Sequence, residues 1–193
     1  MVRVFIVHGW SKAPETDWFP WLKSELKKKG FDVRCPRMPN TDAPAIKPWV
    51  TRLAKVVGEP ESSDIFIGHS VGCQTILRYF QSKRNKFRVH GVLLVAPWMH
   101  LKIDKSWEQR DINTARPWIK TPLKWNKVKQ RSRKFTAILS DNDPFVPLSD
   151  ARIFKSRLDA KIIIMHNRGH MDQEAGLKKA PFLLKEVLNI ARK

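Results

Sequence analysis

Short, strongly apolar segments alternate along the chain with longer segments in which apolar residues recur at a helical period. The apolar segments predict six β-strands, at residues 2–7, 31–35, 65–67, 89–95, 135–139 and 161–165. The periodic segments predict helices at 18–29, 49–57, 148–158 and 173–192, and one more from the turn at residue 70 to about 81. Because the strands are strongly apolar and alternate with helices, the pattern favours an α/β fold: a mostly parallel sheet of about six strands with helices on both faces.

One long interval, residues 97–134, lacks a clear period and separates two of the predicted strands. It contains four of the eight tryptophans of the chain: Trp98, Trp107, Trp118 and Trp125. Loops of this length inside a compact domain commonly form lids or binding loops. We therefore expect a lid-like excursion whose tryptophans either wall an apolar pocket or pack the excursion onto the sheet.

The length of 193 residues predicts a single domain, 1–193, with a sizeable core. We find no apolar run long enough to cross a bilayer, so no membrane span is expected. The two cysteines, Cys35 and Cys73, have neither the spacing of a metal site nor the number of a disulfide framework. Buried free thiols of this kind favour a reducing, cytoplasmic location.

The chain is strongly basic. Its 37 lysines and arginines exceed its 18 acidic residues, for a formal net charge of +19. The denser basic runs lie at 27–29, 83–88 and 127–134. Such a charge attracts anions through a general field, so a nonspecific anionic partner is one interpretation. A merely solvated surface is favoured, because zinc-finger spacing, an Arg/Gly-rich tail and aromatic RNA-binding signatures are missing.

The pattern Gly-His-Ser-Val-Gly at 68–72 follows a predicted strand and precedes a predicted helix. A serine on a tight strand-to-helix turn needs small neighbours on both sides, which Gly68 and Gly72 supply. Such a turn exposes the serine hydroxyl and aims backbone N–H groups at developing negative charge. Ser70 is therefore the candidate nucleophile.

A serine hydroxyl needs a base, and His170, which follows the sixth predicted strand, is the candidate. His69 adjoins the nucleophile, where its side chain is expected to point away. A carboxylate should orient the base, and Asp141 and Asp143 both follow the fifth predicted strand. The rigid Asp-Pro step favours Asp143, while Asp141 would cap or brace the loop.

The oxyanion hole requires two backbone N–H groups, which we assign to Val71 and Trp10. The candidate lining of the substrate pocket comprises His8, Gly9, Trp98 and Trp118. The nucleophile, base, acid and His8-Gly9 turn each come just after a strand. Parallel strands would gather them at one edge of the sheet, and this convergence is the main argument for an active site.

The order Ser70, Asp143, His170, with His8-Gly9 after the first strand, resembles the α/β-hydrolases. More narrowly, the chain resembles the small serine hydrolases of the retinoblastoma-binding protein 9 family and their bacterial relatives. The likeness spans nearly the whole chain and rests on residues 8–10, 17–22, 38–40, 49, 68–72, 116–118, 143–147 and 169–170.

This resemblance implies a compact α/β-hydrolase without a large cap domain, a Ser-Asp-His triad that includes Asp143, and no metal or organic cofactor. It also implies an esterase or aminopeptidase-like activity. The retinoblastoma-binding motif Leu-x-Cys-x-Glu is missing from this chain, so no retinoblastoma-type partner is expected. The excursion at 97–134 is long for the family, which leaves substrate preference open.

The sequence as a whole predicts a serine hydrolase that cleaves a small ester, thioester or amide through an acyl-enzyme on Ser70. The alternative is an interaction protein on a hydrolase scaffold, which would bind an anionic partner through its basic surface. Hydrolysis of small acyl esters, or retention of a polyanion with steep salt dependence, would distinguish the two.

Overall fold

The computed structural model describes residues 1–192, and its strands form one fully parallel sheet. The strands are β1 (Arg3–Val7), β2 (Asp32–Arg34), β3 (Ile65–His69), β4 (Gly91–Val95), β5 (Phe135–Ser140) and β6 (Lys161–Met165), in the spatial order β2-β1-β3-β4-β5-β6. The helices are α1 (Phe19–Lys28), α2 (Ile46–Val57), α3 (Val71–Ser82), α4 (Gln109–Lys120), α5 (Trp125–Lys129), α6 (Asp150–Leu158) and α7 (Pro181–Ala191).

The strand order reverses direction between β1 and β3. From β1 the chain steps outward to β2, and from β3 it steps the other way through β4 and β5 to β6. The register at the reversal pairs Val4 with Ile65 and Val7 with Gly68. In open parallel sheets the crevice beyond the carboxyl ends of the strands at such a reversal is the usual ligand site. The residues that follow β1 and β3 lie there.

Alternating strand residues face two separate apolar layers. In β1, Phe5 and Val7 face the layer formed with α2, α3, α5 and α6, whereas Val4 and Ile6 face the layer formed with α1 and α7. Every residue of β4 is buried, as expected for a central strand covered on both sides. The α/β prediction with about six parallel strands and helices on both faces is confirmed.

Two predicted segments differ from the structure. Residues 97–134 are not one irregular excursion, since they contain α4 and α5. Only Ala115 and Trp118 of α4 are buried, too few to produce a readable period. The last helix begins at Pro181 rather than at 173, because Gly176 has a φ of 80° and proline suits the first helical turn.

The segment between β4 and β5 contains the 12-residue α4 and the 5-residue α5, and residues 1–192 contain no large cap domain. None of the helices that these residues form has the length and apolar character that a bilayer crossing requires. That residues 1–193 make up a single domain stays a prediction.

Candidate active site

Ser70 lies in the turn between β3 and α3, in a backbone conformation that side chains rarely adopt. Its φ is 52° and its ψ is −121°. The turn is fixed on both sides, because Ser70 N donates to Val95 O at 2.9 Å and Ser70 O accepts from Cys73 N at 2.9 Å. Strained, over-determined backbone of this kind clusters at functional sites.

The two glycines of the motif are required by close backbone approach. A Cβ on Gly68 would lie 2.7 Å from the Cys73 backbone, and a Cβ on Gly72 would lie 2.2 Å from Val7 O. Neither neighbour is a flexible side chain that could move aside. The spacing Gly-x-Ser-x-Gly therefore has a steric cause here, as the sequence predicted.

The Ser70 hydroxyl is mostly enclosed and accepts a hydrogen bond from Trp98. The residue is 8% exposed, and Trp98 Nε1 lies 3.3 Å from Ser70 Oγ. The Trp98 loop is itself held in place, because Gln74 Nε2 donates to Trp98 O at 3.1 Å. Ala96, two residues earlier, has a φ of 46° and turns the chain out of β4.

Asp150, at the start of α6, holds the residues that follow Trp98. Its buried Oδ2 accepts hydrogen bonds from Met99 N at 2.6 Å and His100 N at 2.8 Å. The carboxylate thus fixes the loop that places the indole beside Ser70. This contact was not foreseen from the sequence, since it joins residues about fifty positions apart.

His170 and Asp143 form a buried pair. The distance from His170 Nδ1 to Asp143 Oδ2 is 2.8 Å, and the two side chains are 10% and 2% exposed. Asp143 Oδ1 accepts hydrogen bonds from Phe145 N at 2.8 Å and Val146 N at 3.0 Å. With Nδ1–H donating to the carboxylate, the Nε2 lone pair of His170 can accept a proton.

Ser70 and this pair lie on the same edge of the sheet, after β3, β5 and β6. Within residues 1–192, no hydrogen bond joins Ser70 Oγ to His170. Apo structures often show such catalytic contacts long or open, and they tighten only when substrate binds.

Asp141 contacts other residues. Its carboxylate accepts hydrogen bonds from His166 Nδ1 at 2.5 Å and Asn167 N at 2.9 Å. The Asn167 N–H and then His166 hold the pKa of Asp141 below its ordinary value. Asp141 therefore braces the loop after β6, and Asp143 is the carboxylate that meets His170.

His69 contacts both the backbone and the ring of His170. His69 Nε2 donates to His170 O at 2.9 Å, and the two ring centroids are 5.0 Å apart. A Cβ on Gly9 would lie 2.8 Å from His69 Nδ1, so glycine at position 9 makes room for this ring. Burial and then the nearby His170 lower the pKa of His69 to about 3, which keeps the ring neutral. The sequence analysis expected the His69 side chain to point away from Ser70, and it did not predict the contact between His69 and His170.

His8 and Trp118 belong to the core, which corrects the expected pocket lining. His8 is fully buried, with Nε2 accepting from Met38 N at 3.0 Å and Nδ1 donating to Gly9 O at 3.0 Å. Burial lowers the pKa of His8. Trp118 is fully buried as well and donates from Nε1 to Pro44 O at 2.8 Å.

A cleft of about 700 Å³ opens beside His170. Its aromatic wall runs from Trp10 through Trp107 and Phe145 to His170, each ring meeting the next edge-on at centroid distances of 6.5, 6.4 and 5.1 Å. Trp107 comes from the predicted excursion. This cleft is lined by none of the four residues that were expected to line the pocket: His8, Gly9, Trp98 and Trp118.

The two residues assigned to the oxyanion hole lie on either side of the strand-order reversal. Val71 is the first residue of α3, where free N–H groups and the helix dipole favour an anion. Trp10 follows β1, and its indole Nε1 donates to Asp42 O at 3.1 Å. Their roles in stabilising an oxyanion stay a prediction.

The edge thus presents a strained serine, a histidine–carboxylate pair and an apolar cleft. A family model described as "Serine hydrolase" matches residues 4–188. The chain belongs to the serine hydrolase family. The family predicted from the sequence is thereby confirmed.

Two curated relatives are similar over most of the chain. YdeN of Bacillus subtilis is 24% identical over 181 residues, which cover 94% of this chain and 92% of that protein. Serine hydrolase RBBP9 of Rattus norvegicus is 27% identical over 154 residues, which cover 79% of this chain and 77% of that protein.

Solved structures show the same fold. The crystal structure of the B. subtilis ydeN product superposes with a TM-score of 0.90 at 22% identity and covers all of both chains. Est1E from Butyrivibrio proteoclasticus superposes with a TM-score of 0.70 at 15% identity, over 99% of this chain and 88% of that one. This serine hydrolase therefore has the α/β-hydrolase fold that the sequence predicted.

Proposed function

We propose that this serine hydrolase cleaves a small ester, thioester or amide through an acyl-enzyme formed on Ser70. The observation that carries the proposal is the 2.8 Å pair of His170 and Asp143 on the sheet edge where Ser70 occupies its strained turn. A buried histidine that donates from Nδ1 to a carboxylate presents Nε2 as a general base.

In the proposed reaction, His170 Nε2 takes the proton of Ser70 Oγ as that oxygen attacks the substrate carbonyl carbon. Asp143 stabilises the imidazolium and keeps the ring in the correct tautomer. The N–H groups of Val71 and Trp10 bind the tetrahedral oxyanion. His170 then protonates the leaving group, and the same residue later activates the water that hydrolyses the acyl-enzyme.

The contact from Trp98 is compatible with this role. The indole N–H can only donate, so it occupies a lone pair of Ser70 Oγ at 3.3 Å and leaves the hydroxyl hydrogen free for His170. Oγ is thereby oriented before substrate arrives. Preorganisation of this kind lowers the reorganisation needed in the transition state.

The cleft beside His170 supports a substrate with an apolar group. Its volume of about 700 Å³ is large for an acetyl group alone, and three aromatic rings form its wall. Clefts of this size and character commonly hold a drug-sized ligand. We therefore expect esters with bulky acyl or alcohol groups to be better substrates than acetate esters.

The test is covalent labelling with a fluorophosphonate probe, together with turnover of p-nitrophenyl esters of graded length and of aminoacyl amides. Ser70→Ala should abolish labelling and lower ester turnover by at least about 10³-fold, since the nucleophile is removed. Ser106→Ala is the matched control, because Ser106 lines the cleft but lies outside the turn. It should keep both activities.

Undiminished labelling of the Ser70→Ala protein would contradict the assignment of the nucleophile. Loss of labelling in Ser106→Ala but not in Ser70→Ala would indicate that Ser106, on the cleft wall, is the nucleophile instead. Absence of turnover with every ester and amide, despite labelling of Ser70, would contradict the proposed substrate class.

A further inference from the structure

Two of the basic runs in the sequence lie side by side in the structure. Val89 and Ser132 form an isolated parallel bridge, in which Val89 N donates to Arg131 O at 2.9 Å and Arg133 N donates to Val89 O at 3.1 Å. The runs 83–88 and 127–134 are thereby joined just ahead of β4 and β5. They occupy the amino edge of the sheet, opposite the edge that carries Ser70.

This amino edge contains a cleft of about 890 Å³, larger than the one beside His170. Five exposed cationic residues line it: Arg88, Lys129, Arg133, Lys134 and Lys161. The cleft is lined by only two acidic residues, Asp159 and Glu186. The lining therefore carries a clear excess of positive charge.

Both acidic groups of the lining are already paired. Asp159 lies 3.5 Å from Lys155 Nζ, and Glu186 lies 2.8 Å from Lys161 Nζ. Within residues 1–192, the four other cations of the lining have no carboxylate within ion-pair distance. Like charges held together without counterions repel one another, and a bound polyanion would relieve that repulsion.

Two of these cations are held at the cleft by backbone carbonyls. Lys134 Nζ donates to Arg192 O at 2.8 Å and to Ile190 O at 3.3 Å. Arg88 Nε donates to Ser132 O at 3.4 Å, which leaves its terminal nitrogens for another acceptor. Guanidinium groups present paired donors that suit phosphate oxygens.

The cleft lacks the features by which proteins bind lipid surfaces or unstacked bases. The exposed large apolar residues of the described chain are Met1, Ile103, Phe145, Leu148 and Ile164, and none of them lines the cleft. Phe87, the aromatic residue of the first basic run, is covered by the Arg131 guanidinium at 4.6 Å. Insertion into a membrane and stacking on single strands both need exposed rings or aliphatic groups.

We propose that this amino-edge cleft binds the phosphate backbone of a double-stranded nucleic acid. The cations would contact phosphates without reading base edges, so binding would be independent of sequence and strongly dependent on salt. The interaction is separate from hydrolysis, because Ser70, Asp143 and His170 lie at the opposite edge. It would hold even if Ser70 were not the nucleophile.

Fluorescence anisotropy with a labelled DNA duplex of about 20 base pairs tests the proposal, at salt concentrations between about 50 and 200 mM. The cleft variant is Arg88→Ala/Lys129→Ala/Arg133→Ala. The matched control is Lys27→Ala/Lys28→Ala/Lys29→Ala, which removes the same formal charge from the end of α1, outside the cleft. Circular dichroism melting verifies that both variants fold.

The cleft variant should weaken the duplex Kd by at least about tenfold and reduce the salt slope by about 0.9 for each phosphate that the variant no longer neutralises. The control should change the Kd by less than about threefold, and Ser70→Ala should bind as the wild type does. Equal weakening in both triple variants would overturn the proposal in favour of a general field. No duplex binding, or tighter binding to single strands of the same length or to phosphatidylserine vesicles, would overturn it as well.

Discussion

The two edges of the sheet differ in how they hold their polar groups. At the carboxyl edge, the histidines and carboxylates that hold the Ser70 site are buried, and specific hydrogen bonds fix each of them: His69, Asp143, Asp150 and His170. At the amino edge, arginines and lysines are exposed around an open cleft and largely lack acidic partners within residues 1–192.

Backbone strain follows the same division. Of the eight non-glycine residues with positive φ in the described chain, seven lie in connections that leave the carboxyl ends of strands: Ser11, Asp17, Asn40, Ser70, Ala96, Asn167 and Met171. The remaining residue with positive φ, Asp159, lies in the connection that leads into the amino end of β6. Strain persists where surrounding contacts over-determine it, as expected for a site that positions reacting atoms within narrow limits. An electrostatic surface needs no such precision.

The largest expected effect is on catalysis at the carboxyl edge. Asp143→Asn removes the acceptor that fixes the His170 tautomer, so kcat should fall by about 10³- to 10⁴-fold. Duplex binding at the amino edge should not change. Steady-state turnover of a p-nitrophenyl ester measures the first effect, and anisotropy measures the second.

Asp141→Asn is the matched control, because it follows the same strand but contacts His166 and Asn167. Its kcat should stay within about threefold of the wild type. A comparable collapse of kcat in both variants would contradict the distinction between a catalytic and a bracing aspartate.

The next effect is on stability, and it compares one glycine from each edge. A Cβ on Gly72 would lie 2.2 Å from Val7 O, a backbone atom of a central strand. A Cβ on Gly91 would lie 2.3 Å from Ile190 Cγ2, a side-chain methyl group rather than a backbone atom. We expect Gly72→Ala to lower the free energy of unfolding by about 3 kcal/mol or more and Gly91→Ala by about 1–2 kcal/mol.

Urea unfolding at neutral pH measures both changes. Equal losses of stability would mean that the backbone at the Ser70 turn can yield as readily as the Ile190 side chain. The carboxyl edge would then no longer be the more rigid part of the molecule.

Much of the fold was readable from the sequence, because every strand except β2 is a short, mostly apolar run and β4 is apolar throughout. The helix α4 was not readable. It buries little more than Ala115 and Trp118 and includes Pro117, so neither its period nor its composition indicates a helix. Local pattern predicts an element only where burial is regular along it.

At the candidate site, the Ser70 turn is a local motif and was predicted from five residues. The contacts that hold the site are not local. Trp98 reaches Ser70 across 28 positions, Asp150 reaches His100 across 50, and His69 reaches His170 across 101. The two basic runs meet in the same way, through the bridge between Val89 and Ser132. Contacts of this kind depend on the strand order, which residue spacing does not encode.

The effect expected of mild acid is smaller than that of Gly72→Ala, and we expect it to arise at the carboxyl edge. Burial and the nearby His170 lower the pKa of His69 from 6.5 to about 3. The unfolded chain therefore binds a proton between these values that the native state does not bind. The free energy of unfolding should fall as the pH drops below about 6.5, by about 2 kcal/mol at pH 5 from His69. His8, whose pKa burial also lowers, acts in the same direction.

Urea midpoints at pH 7 and pH 5 measure this loss of stability, and His69→Gln isolates it. The glutamine amide can still donate to His170 O but does not titrate, so the variant should lose less stability on acidification than the wild type. Arg133→Ala, at the amino edge, should keep the full wild-type loss, because arginine stays charged throughout this range. An identical loss in His69→Gln and the wild type would show that the acid sensitivity arises elsewhere, and the buried neutral histidine would no longer distinguish the two edges.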